Sequence, residues 1–199
     1  MSALAQPLAT VDEYFALETA SAVRHEYYRG HVIAMAGGSF FHGVIIGNVT
    51  RELGNRLLEG PCRVIPTEVR LAAEFDAHYT YPDVQVVCGK PVYQIGRPHT
   101  ITNPVVLVEV LSPSTERADR GRKFADYRKL TSLREYMMVS QFEPKVELFR
   151  RGADGVWILL EFSGLDALVS LESLGIAVPL AEIYRKIEFE PEPVEVPES

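Results

Sequence analysis

Three short stretches carry residues able to do chemistry together. "YPDVQVVC" opens an apolar run with Asp83, "VVLVEVLS" encloses Glu109 in another, and "DRGRKFADY" offers Lys123 between Asp119 and Tyr127. Convergent carboxylate oxygens bind hard divalent cations such as Mg2+. A lysine beside such a pair can orient water or stabilise charge in a transition state. Each residue also has an ordinary structural use. Asp83, after Pro82, suits a turn that bonds nearby backbone. Glu109 suits a strand end that meets solvent or an arginine, and Asp119 with Lys123 suits an exposed i,i+4 ion pair.

The elements that would position these residues read as a mixed α/β chain. A helix from Val11 with Thr10 as cap comes first, then two short strands joined by a turn at Arg29 and Gly30. The longest helical pattern, "SFFHGVIIGNVTRELGNRLLEG", has Ser39 as cap, Val49, Leu53 and Leu57 at helical spacing, and Gly60 with Pro61 as its stop. Three strand segments follow: "CRVIPTEVRLAA", "YTYPDVQVVCG" and "NPVVLVEVLS", the first two linked as a hairpin through residues 74–78. A helix from about Asp119 to Leu130 precedes the strand "EYMMVSQF" and a hairpin of "KVELFRR" with "GVWILLEF". In "VVLVEVLS", alternation puts Val105, Leu107, Glu109 and Leu111 on one face and Val106, Val108 and Val110 on the other. A strand apolar on both faces is central, and an ionised carboxylate within it is costly without compensation.

Composition narrows the classes. At 199 residues with 47% hydrophobic content the chain can bury its own core, expected as a single domain over 1–187. No apolar run reaches the roughly 20 residues needed to cross a bilayer, and no secretory signal pattern opens the sequence, so a cytoplasmic, non-membrane protein is expected. The net charge of −7 is concentrated in the tail from Glu188 onward, expected to be extended or disordered, whose five glutamates leave 22 acids against 20 bases elsewhere. Cys62 and Cys88 lack metal or redox spacing and are expected as buried free thiols. No nucleophile elbow, zinc-ligand spacing or Walker-type phosphate loop is found.

Taken together, "YPDV", "VVLVEVLSPST", "DRGRKFADY" and "REYMMV", with "RHEYYRGHVIAMAGGSFFHGVIIGNV" upstream, resemble the Uma-two family of endonucleases, a branch of the PD-(D/E)XK nuclease superfamily. The resemblance implies an α/β (α+β) fold: a restriction-endonuclease-like core whose central mixed β-sheet is flanked by helices, with extra β-hairpins. It matches Asp83 and Glu109 to the motif acids, with the Val110 carbonyl as a further metal ligand and Mg2+ or Mn2+ as cofactor. Leu111 stands where the usual motif has lysine, and Lys123 is the matching base from the next helix, with Lys129 as an alternative. Glu26 and His42 fall on polar positions of the family pattern. Glu26 either completes the acidic cluster or pairs within the hairpin; His42 either contacts phosphate or makes a helix-terminal hydrogen bond. The implied activity is metal-dependent hydrolysis of nucleic acid, DNA by preference, by a possible homodimer. The rival expectation is a non-catalytic nuclease-like module binding nucleic acid or protein, favoured by Leu111 and by the lack of a dense basic stripe.

Overall fold

The computed structural model describes residues 8–35 and 37–189; the tail expected from Glu188 onward lies, beyond Phe189, outside the described residues. Helix α1 (Val11–Ala20) begins with a capping box: the Thr10 hydroxyl accepts from the Glu13 amide, and the Glu13 carboxylate accepts from the Thr10 amide at 2.7 Å. Strands β1 (His25–Tyr28) and β2 (His31–Ala34) pair as a hairpin through Arg29 and Gly30, both at positive φ (48° and 91°), the backbone that a tight two-residue turn demands. Helix α2 (Phe40–Arg56) is capped by Ser39, whose hydroxyl accepts from the His42 amide.

Two of the expected single strands are each two. "CRVIPTEVRLAA" divides into β3 (Cys62–Pro66) and β4 (Arg70–Glu74), and "YTYPDVQVVCG" into β5 (His78–Thr80) and β6 (Val84–Cys88). A proline stands at each break, Pro66 ending β3 and Pro82 lying between β5 and β6. Lacking an amide hydrogen, proline cannot extend a ladder on both sides. Each chain segment therefore crosses from one sheet to another.

The first sheet has the order β2-β1-β5-β4-β7, with β7 at Thr100–Ile101. The second runs through β8 (Val106–Val110), β9 (Glu135–Val139), β10 (Lys145–Arg151) and β11 (Trp157–Ser163) in the order β11-β10-β9-β8-β6-β3. Only β8 and β9 run parallel in this second sheet, so it is mixed. Strands β12 (Leu168–Leu171) and β13 (Ile176–Pro179) form a small third sheet, followed by a short helix α5 (Leu180–Ile183).

Strand β8 is central and buried throughout. Val106, Val108 and Val110 pack with Ile45, Val49 and Leu53 of α2, while Leu107 and Leu111 pack with Tyr127, Tyr136 and Met138 on the opposite face. The expected alternation holds from Val106 to Leu111, while Val105, before the strand begins, packs with the α2-side cluster instead of the Leu107 face. The parallel step from β8 to β9 is bridged by a helical run: α3 (Glu116–Ala118), a π-turn (Asp119–Lys123) and α4 (Phe124–Tyr127). It starts earlier and ends earlier than the sequence suggests.

The cysteines correct the free-thiol expectation. The antiparallel register sets Cys62 opposite Cys88, and the two form a disulfide across β3 and β6. Spacing along the chain hides such a pair because it depends on register alone. Among the described residues, no helix is long and apolar enough to cross a membrane.

Candidate active site

The register that pairs Val84 with Val108 brings Asp83, just before β6, to the level of Glu109. Asp83 Oδ2 accepts from the Val110 amide at 2.7 Å, which ties the loop carboxylate to the end of β8. His42, in the first turn of α2, places Nε2 3.4 Å from Asp83 Oδ2 and 3.1 Å from the Val110 carbonyl oxygen. The Asp83 hydrogen bond raises the imidazole's pKa above its ordinary value and outweighs burial. Gly38 is needed beside it: a β-carbon there would stand 2.5 Å from His42 Nδ1.

Glu109 is 3% exposed and accepts on one oxygen from Tyr127 Oη at 2.7 Å and Lys123 Nζ at 3.1 Å. Lys123 Nζ also lies 3.2 Å from Glu26 Oε1 and 3.0 Å from Asp119 Oδ1. Glu26 comes from β1 in the first sheet and is fixed by the Thr80 hydroxyl at 2.5 Å. The ammonium thus joins carboxylates from both sheets and from the helical run.

The electrostatics follow from that crowding. Burial, with Asp119 and Asp83 close by, pushes the Glu109 carboxyl well above the usual range despite Lys123 and Tyr127. Asp119 is raised for the same first reason. For Lys123, burial works downward, but Glu109, Glu26 and Asp119 prevail and hold the ammonium well above its ordinary value. Glu26 is lowered because Lys123 and Thr80 outweigh its burial.

These contacts bring together Asp83, Glu109, Lys123, Glu26 and His42. They separate Lys129, whose Nζ instead pairs with Glu74 and Asp126 at 3.0 and 2.8 Å. They also correct the view of Asp119 as half of an exposed ion pair, since it is 1% exposed. Tyr127 is a further contributor that the sequence reading left without a role. The four-residue spacing of Asp119, Lys123 and Tyr127 was the available signal, but it cannot tell a solvated helix face from a buried one. The π-turn carries both Asp119 and Lys123 into the buried ionic cluster.

The cluster opens into a cleft of about 390 Å³ lined by Glu26, His42, Asp83, Glu109 and Lys123, with hydroxyl groups of Ser112, Ser114 and Thr115 at its edge. Among the described residues no three or more His, Cys, Asp or Glu side chains converge as a ready metal cage. The donor chemistry nevertheless suits a hard divalent cation. Asp83, Glu109 and the carbonyl of Val110 present oxygens at neighbouring ends of β6 and β8, and the four acids outnumber the single ammonium.

Behind the cluster, His78 is fully buried, with Nδ1 2.8 Å from Asp126 Oδ2 and Nε2 unpartnered. Burial holds its pKa below the ordinary value against the pull of Asp126. As pH falls through about 6.5, the unfolded chain takes up a proton that folded His78 refuses, so this residue lowers stability on acidification. Glu109 acts in the opposite sense, so the diagnostic is a difference between proteins. Thermal melts from pH 7.5 to 5 are expected to show a smaller acid-side loss in His78→Asn than in the wild type. Parallel curves would refute the assignment.

A family model described as "Putative restriction endonuclease" and called Uma2 matches residues 11–181. The uncharacterized protein slr1290 of Synechocystis sp. is 35% identical over 185 residues, covering 92% of this chain and 95% of its own length. A second Synechocystis protein, sll1609, is 31% identical over 173 residues, covering 85% of this chain and 96% of its own. The crystal structure of "a putative nuclease belonging to DUF820" from Anabaena variabilis superposes with a TM-score of 0.71 at 18% identity, covering 88% of this chain and 97% of that one. That last similarity is one of fold.

Proposed function

The chain belongs to the Uma2 family of restriction-endonuclease-like proteins, and from that membership together with the acid–ammonium cluster we propose that it is a divalent-cation-dependent endonuclease that hydrolyses phosphodiester bonds of DNA. The observation that carries the reading is the 3.1 Å contact of Lys123 Nζ with Glu109 Oε1. The ammonium absent from β8 at Leu111 reaches the strand's acid from the helical run instead. That contact favours a catalytic site over a non-catalytic module, since it supplies the ammonium that Leu111 does not.

Asp83, Glu109 and the Val110 carbonyl would hold a Mg2+ or Mn2+ ion. Bound there, the ion would polarise the scissile phosphate, acidify a bound water and offset charge on the leaving oxygen. Lys123 stays charged, so it serves as a hydrogen-bond donor and electrostatic stabiliser of phosphate or water rather than as a general base. Tyr127 fixes the rotamer of Glu109, and His42 orients Asp83. Glu26 and Asp119 hold the ammonium at the cleft floor.

The test is isothermal titration of Mg2+ and Mn2+ into the wild type and Asp83→Ala, with DNA cleavage measured on the same samples. The expected result is joint loss of metal binding and cleavage in the variant. Wild-type cleavage by Asp83→Ala would remove Asp83 from the site, and the absence of metal-dependent cleavage in the wild type would remove the proposal.

A further inference from the structure

Around the cleft, two stretches of unlike chemistry meet. One, from the segment after β8, contributes the hydroxyls of Ser112, Ser114 and Thr115 and the guanidinium of Arg122. Arg122 sits over the Tyr28 ring, its guanidinium carbon 5.0 Å from the centroid, with Nε buried and unpartnered and its nearest carboxylate, Glu26, 3.8 Å away. The other is the start of α2, where Gly37, Gly38 and Ser39 line the cleft and Phe40 follows directly, 80% exposed. The Ser39 hydroxyl is 2.8 Å from Gln141 Oε1, which ties the start of α2 to the loop that carries Phe142, 59% exposed. An aromatic ring exposed at the mouth of a cleft offers a flat face on which a base can stack.

The cations of the cleft limit what can bind. Among the described lining residues, Arg122 and Lys123 are the only arginine and lysine, and Lys123 is already shared among three carboxylates. A duplex presents one phosphate charge per roughly 1.7 Å of axis over two backbones, which this lining cannot offset. One strand needs less charge and offers unstacked bases, whose faces stack on aromatic side chains for about 1–3 kcal/mol each.

We propose that the cleft accepts an unpaired DNA strand, with a backbone phosphate against Arg122 and the hydroxyls of Ser112 to Thr115, and a neighbouring base stacked on Phe40 with Phe142 flanking it. This rests on the nuclease reading and specifies its substrate. Neither aromatic side chain belongs to the acid cluster, so strand binding can be measured apart from catalysis.

The experiment uses Glu109→Gln as a non-cleaving background, with Mg2+ present, and fluorescence anisotropy of a labelled 20-nucleotide strand and of its duplex. Single-strand binding is expected to exceed duplex binding by tenfold or more. Adding Phe40→Ala should weaken single-strand binding at least fivefold and abolish the quenching of a 2-aminopurine base placed near the cleft, with no change in melting temperature. Adding Arg122→Gln should lower the salt dependence of binding by about one phosphate contact. Equal or tighter duplex binding, or unchanged affinity in Phe40→Ala, would overturn the proposal. So would a shift from dimer to monomer in Phe40→Ala with DNA affinity intact, because Phe40 would then be covered by a second copy. If the wild type shows no metal-dependent DNA cleavage while the strand preference holds, the nuclease reading fails and the strand-binding cleft survives it.

Discussion

Glu109→Gln is expected to melt at or above the wild-type temperature while cleaving DNA about 10²–10³-fold more slowly. The two effects share one cause. Burial among Asp83 and Asp119 lifts the Glu109 pKa well above its unfolded value, so at neutral pH ionising it costs the folded state free energy. That cost disappears as pH falls through the raised folded pKa, and glutamine removes it at every pH. The amide oxygen can still accept from Tyr127 and Lys123, and Glu26 and Asp119 continue to hold the ammonium. A divalent cation should raise the melting temperature of the wild type by mass action and leave that of Glu109→Gln unmoved. Differential scanning calorimetry with and without Mg2+, beside single-turnover cleavage, reads all three quantities. A variant that melts several degrees lower would contradict the burial argument, and one that cleaves at the wild-type rate would contradict the catalytic one.

Lys123→Met should be damaging in both respects. It leaves Glu26, Glu109 and Asp119 facing one another in a buried space without their shared cation. Removing one partner of a buried ionic cluster costs about 3–5 kcal/mol, on the order of 10 °C in melting temperature for a chain of this size. Without the ammonium the folded carboxyl pKa values rise further. Stability lost at neutral pH should therefore return as pH falls through them, and the gap from wild type should narrow on acidification. Cleavage should fall by about 10²–10³-fold even at the pH of best folding. Melts at pH 5 and 7.5 test the account, which does not survive a gap that stays constant or widens in acid.

Much of this arrangement is legible in the sequence where a local rule acts alone. Thr10 and Ser39 cap the helices expected of them, Arg29 and Gly30 turn the hairpin, and the alternation around Glu109 separates the two faces of β8. The misreadings share a different cause. A β-favouring run reads the same whether it stays in one sheet or passes into another, so Pro66 and Pro82 were the sole marks of the breaks that set Asp83 at a seam. The burial of Asp119 depends on where the helical run docks, and the Cys62–Cys88 pairing depends on register between strands 26 residues apart. Neither is encoded in spacing. The replacement of a strand lysine by Leu111 becomes intelligible once that side chain is seen in the core and Lys123 is seen to arrive from the helical run after β8.

The seam gives the site a mechanical character. Glu26 is anchored in one sheet, Glu109 in the other, and Lys123 reaches both from the run that joins β8 to β9. The ammonium works as a clasp: turning one sheet against the other would draw it from at least one carboxylate, so the rigidity of the cleft floor depends on that one nitrogen.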